Sequence, residues 1–223
     1  MEKINAKNYH HDRINRTIAN HQLQKRTEEI INSIKKYTNA QKIDSILDIG
    51  TADGLMLSDI KKKFSWINCV GIESSKELIN YCKDPNIKII EGNAYLLPFE
   101  NNLFDIIIAA AIIEHLKEPK KMLDESWRVL KNGGLLIITT PDPFFNKIAE
   151  LIGFFDKGGH EKTYNLKELK KILSKNNFQI VEAKKFMVSP ISLPFELKIE
   201  KLLKFLKLDF ILLNQLIIAK KCV

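Results

Sequence analysis

The sequence predicts an α/β fold: a doubly wound, mostly parallel sheet of seven strands closed by an antiparallel C-terminal strand. Three observations predict it. Short apolar runs, such as Ile46-Leu47-Asp48-Ile49, read as strands buried on both faces. Such runs alternate with amphipathic helical stretches through the middle of the chain. The junction after the first run carries Gly50, Ala52 and Gly54, as a tight strand-to-helix turn requires.

Residues 17–37 place Ile18, Leu23, Ile30, Ile31 and Ile34 at helical spacing. After the strand at 46–50 a helix is expected near 54–63, a strand at 66–72 and a helix at 75–82. A strand at 87–90, a loop and a strand at 104–110 follow. A helix at 119–130 ends at the Asn132-Gly133-Gly134 turn, and a strand runs over 135–140. A helix at 166–175 leads to a strand at 178–187, and Phe210 to Ala219 reads as the last strand. This is a Rossmann-like arrangement. With no repeat and no Pro/Ser-rich linker, it is read as one domain over 1–223. Its parts are an N-terminal arm and helix (1–40), a cofactor-binding core (41–187), an amphipathic insertion (188–208) and a final strand (209–223).

Composition bounds the function. Hydrophobic residues make up 45% and charged residues 28%, as in ordinary globular chains. The polar start, 1–16, predicts no signal peptide, and no apolar run has the length of a membrane span. Cys69, Cys82 and Cys222 show neither CxxC spacing nor clustering, so reduced thiols, a cytoplasmic setting and no metal are expected. The net charge is +8, but +5 of it falls in Lys184 to Val223, where eight lysines face Glu196, Glu200 and Asp209. A charge so localised does not call for a nucleic-acid partner.

The turn at 50–54 lets main chain approach a ligand closely, and the helix beyond it offers free N–H groups. Some twenty residues on, Glu73 ends the next strand in Val70-Gly71-Ile72-Glu73. A carboxylate there accepts hydrogen bonds from ribose hydroxyls in doubly wound folds; the alternative is an exposed cap of the next helix. A dinucleotide fingerprint would place its third glycine at 55, which is Leu55. This argues against NAD.

These segments, with Gly92-Asn93-Ala94, Leu97-Pro98-Phe99 to Phe104-Asp105, Glu114-His115-Leu116 and Gly133-Gly134-Leu135, occur in order. Together they resemble class I S-adenosylmethionine-dependent methyltransferases, in the type 11 branch that includes quinone-biosynthesis enzymes. The resemblance is strong over 26–145. It implies S-adenosyl-L-methionine as cofactor and S-adenosyl-L-homocysteine as product. It further implies that Asp48, Gly50, Ala52 and Gly54 surround the methionine part and that Glu73 holds the ribose. Asn93 and Ala94 would lie at the adenine, with Asn93 replacing the usual Asp. The Ala110 backbone would face the methionine, and Arg26 would reach its carboxylate. The middle glycine of the family turn is Ala52 here, acceptable if its φ stays negative.

Proton removal from an oxygen or amine acceptor suits histidine, so His115 and His160, near the carboxyl edge of the sheet, are the catalytic candidates, each equally readable as structural. His10-His11-Asp12 lacks a distant third ligand and reads as a mobile polar arm over the cofactor, with Tyr9 in reach. Pro194 to Lys207, if helical, puts Phe195, Ile199, Leu202, Leu203 and Leu206 on one face and Lys201, Lys204 and Lys207 opposite. Packing on the domain, a lid over an apolar acceptor and peripheral membrane contact through 194–207 all remain open. The leading expectation is a cytoplasmic methyltransferase of a small-molecule or lipid-like acceptor. A nucleic-acid methyltransferase and a non-catalytic module of the same fold are the alternatives, the former weakened by Ala109-Ala110-Ala111-Ile112 where amino-methylating enzymes hold prolines and an aromatic. Oligomeric state is not readable.

Overall fold

A computed structural model describes residues 6–15, 17–145, 147 and 161–222. Seven strands form one sheet: β1 (Ser45–Ile49), β2 (Asn68–Glu73), β3 (Lys88–Glu91), β4 (Phe104–Ala110), β5 (Leu130–Pro141), β6 (Phe178–Phe186) and β7 (Asn214–Lys221). Their order is β3-β2-β1-β4-β5-β7-β6. Strands β1 to β5 pair in parallel, and β7 inserts antiparallel between β5 and β6. The sheet is the expected one, antiparallel final strand included.

The described helices are α1 (Ala6–Asn15), α2 (Thr17–Tyr37), α3 (Leu55–Lys63), α4 (Lys76–Ile79), α5 (Pro119–Val129), α6 (Leu166–Lys175) and α7 (Glu196–Phe205). The two-residue period of the strands divides the core between the faces of the sheet. On one face Leu47, Ile49, Ile107, Leu136 and Ile138 meet Met122 and Leu123 of α5 and Leu169 and Leu173 of α6. On the other, Ile46, Ile106, Ile108 and Ile137 meet Ile30 and Ile34 of α2 and Leu57 and Ile60 of α3. Every residue of β1 is buried, which is why its run shows no polar alternation.

Several boundaries move. The turn expected at 132–134 is part of β5, which starts at Leu130; Gly134 is needed because a Cβ there would lie 2.8 Å from the Asp105 carbonyl. The helix at 75–82 shortens to α4, held at its start by Ser75 Oγ accepting from the Leu78 N–H. The last strand begins at Asn214, because Asp209–Ile211 forms a 3₁₀ turn. Residues 6–15 of the N-terminal arm form the helix α1.

Candidate cofactor and acceptor site

The parallel strands β1 to β4 end on one edge of the sheet, and the predicted residues gather there. After β1 the chain turns back under β2: the N–H groups of Gly50 and Thr51 both donate to the Ile72 carbonyl, at 2.8 and 3.1 Å. Gly50 has φ +74°, and a Cβ on it would lie 2.5 Å from Ile112 Cδ1. Gly54 has φ +75°, and its Cβ would meet Ile87 and Ile89 at 2.9 Å. Both positions exclude a side chain by conformation and by space. Ala52 departs from the expected negative φ and stands at +55°. Its N–H donates to Glu73 Oε2 at 3.0 Å, which holds it there.

Glu73 is therefore the clasp of the turn. Its other oxygen accepts the Ser75 N–H at 2.8 Å, so one carboxylate joins the turn after β1 to the start of α4. Asp48 lies beneath, fully buried, and neither carboxylate oxygen has a hydrogen-bond partner. Burial pushes its carboxyl up to about 7, against the pull of the neighbouring Thr51 hydroxyl and then of the Arg13 guanidinium. The hydroxyl of Thr51 is also buried, and Asp48 is the group it faces.

Helix α1 closes over this turn. Arg13 Nη1 lies 2.6 Å from Asp53 Oδ1, and His10 Nδ1 lies 2.8 Å from Oδ2. The His10 ring stacks on Tyr81 with centroids 4.4 Å apart, and Ala6 packs with Ala52 and Leu78. Arg13 and Asp53 were not singled out in the sequence. The available signal was His10 and Arg13 one helical turn apart, opposite an acid inside the glycine turn.

Arg26, on α2, donates to Asn214 Oδ1 at 3.3 Å, while its buried Nε has no partner. Burial lowers its pKa, and Glu114 is the charge that most opposes this. Glu114 is buried on the turn after β4; Oε2 accepts from the Thr140 hydroxyl at 3.0 Å and Oε1 is unpartnered. Burial raises its pKa. His115 is half-buried beside it on the same 3₁₀ turn. Ala110 ends β4 and Ala94 is buried after β3. Asn93 is exposed, and its Oδ1 accepts the Tyr95 N–H at 2.9 Å. His160 lies outside the described residues. Among the described residues no group of three or more His, Cys, Asp or Glu stands ready for a metal, and no helix is long and apolar enough to cross a membrane.

The model of the family described as Methyltransferase domain matches residues 47–138, the segment that builds this edge. Over residues 47–138, less than half of its length, the chain matches a class I S-adenosylmethionine-dependent methyltransferase domain of the type 11 branch. Among relatives, the ubiquinone/menaquinone biosynthesis C-methyltransferase UbiE of Campylobacter jejuni is 34% identical over 100 residues, 42% of this chain and 43% of that protein. The UbiE of Wigglesworthia glossinidia brevipalpis is 28% identical over 187 residues, 77% of this chain and 69% of that protein. The chain spans about half the length, or less, of several curated relatives that it matches. A solved structure of a methyltransferase from Thermotoga maritima, described as a possible histamine N-methyltransferase, superposes with a TM-score of 0.69 at 18% identity. That match covers 97% of this chain and 96% of the other.

The methyltransferase domain fits its methyl donor on grounds of its own geometry. Asp48 and Thr51 face each other as buried polar groups with no other hydrogen-bond partner, and the side-chain-free positions 50 and 54 keep the backbone accessible. Buried polar atoms of this kind are costly unless a ligand or water completes them. Two guanidinium groups, Arg13 and Arg26, approach the same edge, Arg13 already paired with Asp53.

Proposed function

We propose that this chain transfers a methyl group from S-adenosyl-L-methionine to a small-molecule or lipid-like acceptor and releases S-adenosyl-L-homocysteine. The observation that carries the reading is the fully buried Asp48 carboxyl, met only by the Thr51 hydroxyl, under a turn clasped by Glu73. Asp48, Gly50, Ala52 and Gly54 surround the methionine part, and Glu73 takes the ribose hydroxyls. Asn93 and Ala94 line the adenine, and Ala110 offers its backbone. Arg26 is the reading for the cofactor carboxylate; Arg13, closer to Asp48 and Asp53, shares that role.

When bound, the cofactor supplies a methyl group on a sulfonium, open to in-line displacement by an acceptor lone pair. The protein's part is to position the acceptor and exclude water. Helix α1 covers the turn, and Ile112 packs against Gly50. His115 and His160 remain the candidates for removing an acceptor proton. Glu114 adds a buried carboxyl with one open oxygen beside His115, suited to holding an acceptor hydroxyl or amine by hydrogen bond. The setting is cytoplasmic.

Calorimetry with S-adenosyl-L-homocysteine tests the reading. Binding to the wild type, weakened about ten- to hundredfold in Glu73→Ala, is expected from leaving buried polar partners unpaired. No binding to the wild type would overturn it and leave the non-catalytic alternative.

A further inference from the structure

Helix α7 is inside out. The residues it turns toward the domain are acids: Glu196 and Glu200 are only 5% and 7% exposed. Glu196 Oε2 lies 3.3 Å from His21 Nε2 and 3.4 Å from Lys25 Nζ, both on α2. Glu200 accepts the Met187 N–H at 3.0 Å and pairs with Lys204. The side chains turned to solvent include large apolar ones. Phe205 is 82% exposed and Phe195 71%, with Leu197, Leu202, Leu206 and Phe210 exposed around them. The sequence reading left packing of the apolar face on the domain open; the structure instead buries the carboxylates, because they alone meet the cations of α2 and the free N–H after β6.

This face is not purely apolar. At 100° per residue, Lys198 and Lys201 fall among Leu197, Leu202 and Phe205 on the outward side, and Lys207 follows the helix. Among the described residues none of these three lysines is paired with a carboxylate. Aromatic and leucine side chains interleaved with unpaired lysines are what an interfacial helix presents to lipid: the apolar groups enter the acyl boundary and the ammonium groups reach the headgroups.

We propose that α7 and its flanks dock the domain on an anionic lipid surface. Charge complementarity selects this occupant over a second copy of the chain. An isologous contact would gather Lys198, Lys201 and Lys207 of both copies into one interface, where Glu196 and Glu200 are buried and engaged and Asp209 is the one exposed acid of the helix and its flank. The docking is independent of the acceptor's identity and of the cofactor reading.

The test is flotation with phosphatidylcholine vesicles, with and without phosphatidylglycerol, at low salt. At least about tenfold stronger binding to the anionic vesicles is expected, since each lysine near the surface contributes about fivefold. Lys198→Glu/Lys201→Glu should remove the preference, and Leu202→Ser/Phe205→Ser should weaken binding about tenfold or more. These positions are exposed, so circular dichroism and S-adenosyl-L-homocysteine affinity should stay at wild-type values. Equal binding to both vesicle types, or none, overturns the proposal. So does a dimer in sedimentation velocity that Leu202→Ser/Phe205→Ser makes monomeric, which would assign the face to a second copy.

Discussion

The Arg13 guanidinium stands 2.6 Å from the Asp53 carboxylate, so the first helix is bolted to the turn that carries the site. Asp53 is buried, and His10 takes its second oxygen. Access to the turn therefore runs through α1.

Arg13→Gln leaves a buried carboxylate with His10 as its main partner. A stability loss of about 2 kcal/mol is expected, below the range for a wholly buried pair because Arg13 keeps some solvent contact. Amide exchange across 6–15 should accelerate and S-adenosyl-L-homocysteine should bind about tenfold more weakly. Unchanged protection of these amides would show that Ala6 and the His10–Tyr81 stack suffice.

Asp48 makes stability depend on pH. An acid with a raised folded-state pKa keeps its proton in the fold after the unfolded chain has lost it. Its contribution is thus full below the unfolded value, about 3.9, and is lost as pH rises through about 7. Asp48→Asn removes this loss, so it should melt above the wild type at pH 8, with the gap closing toward pH 4. The slope is about 1.4 kcal/mol per pH unit between those limits. Cofactor-product affinity should fall in the same variant. Parallel melting curves at both pH values would show that Asp48 does not titrate there.

Glu73→Gln and Glu73→Ala should separate. Gln keeps one acceptor oxygen for either the Ala52 or the Ser75 N–H, whereas Ala leaves both unpaired. The Ala variant is expected to be less stable than Gln by about 1–2 kcal/mol, measured by urea denaturation. Equal loss would show that the clasp is replaced by water.

Gly50→Ala meets both a left-handed φ and Ile112 at 2.5 Å. A cost of about 2–4 kcal/mol is expected, again from urea denaturation. Adding Ile112→Ala should recover part of it by vacating the space; no recovery would place the whole cost in the backbone.

The sheet was legible because β1, β4 and the body of β5 are apolar runs whose burial depends only on their own composition. The glycine turn and Glu73 were legible because each needs a particular residue type at a particular offset. That α1 is a helix, and how it docks, was not. Its sequence, AKNYHHDRIN, has almost no apolar stripe, and it docks through ion pairs and ring stacking that exist only once Asp53 and Tyr81 are in place. Which way helix α7 faces was left open for the opposite reason: its leucines suit burial, whereas its orientation is set by cations on α2, far away in sequence.

One consequence of the strand order concerns synthesis. Strand β6 touches the rest of the sheet only through β7, which is made later. As the nascent chain emerges, β5 and β6 each wait with an open edge, and Lys221 cannot yet reach the Leu130 carbonyl it caps at 2.8 Å. The half-sheet that holds the site can assemble early, while the other half closes in a single late insertion, the stage at which a stalled or slowly translated chain is most exposed to aggregation.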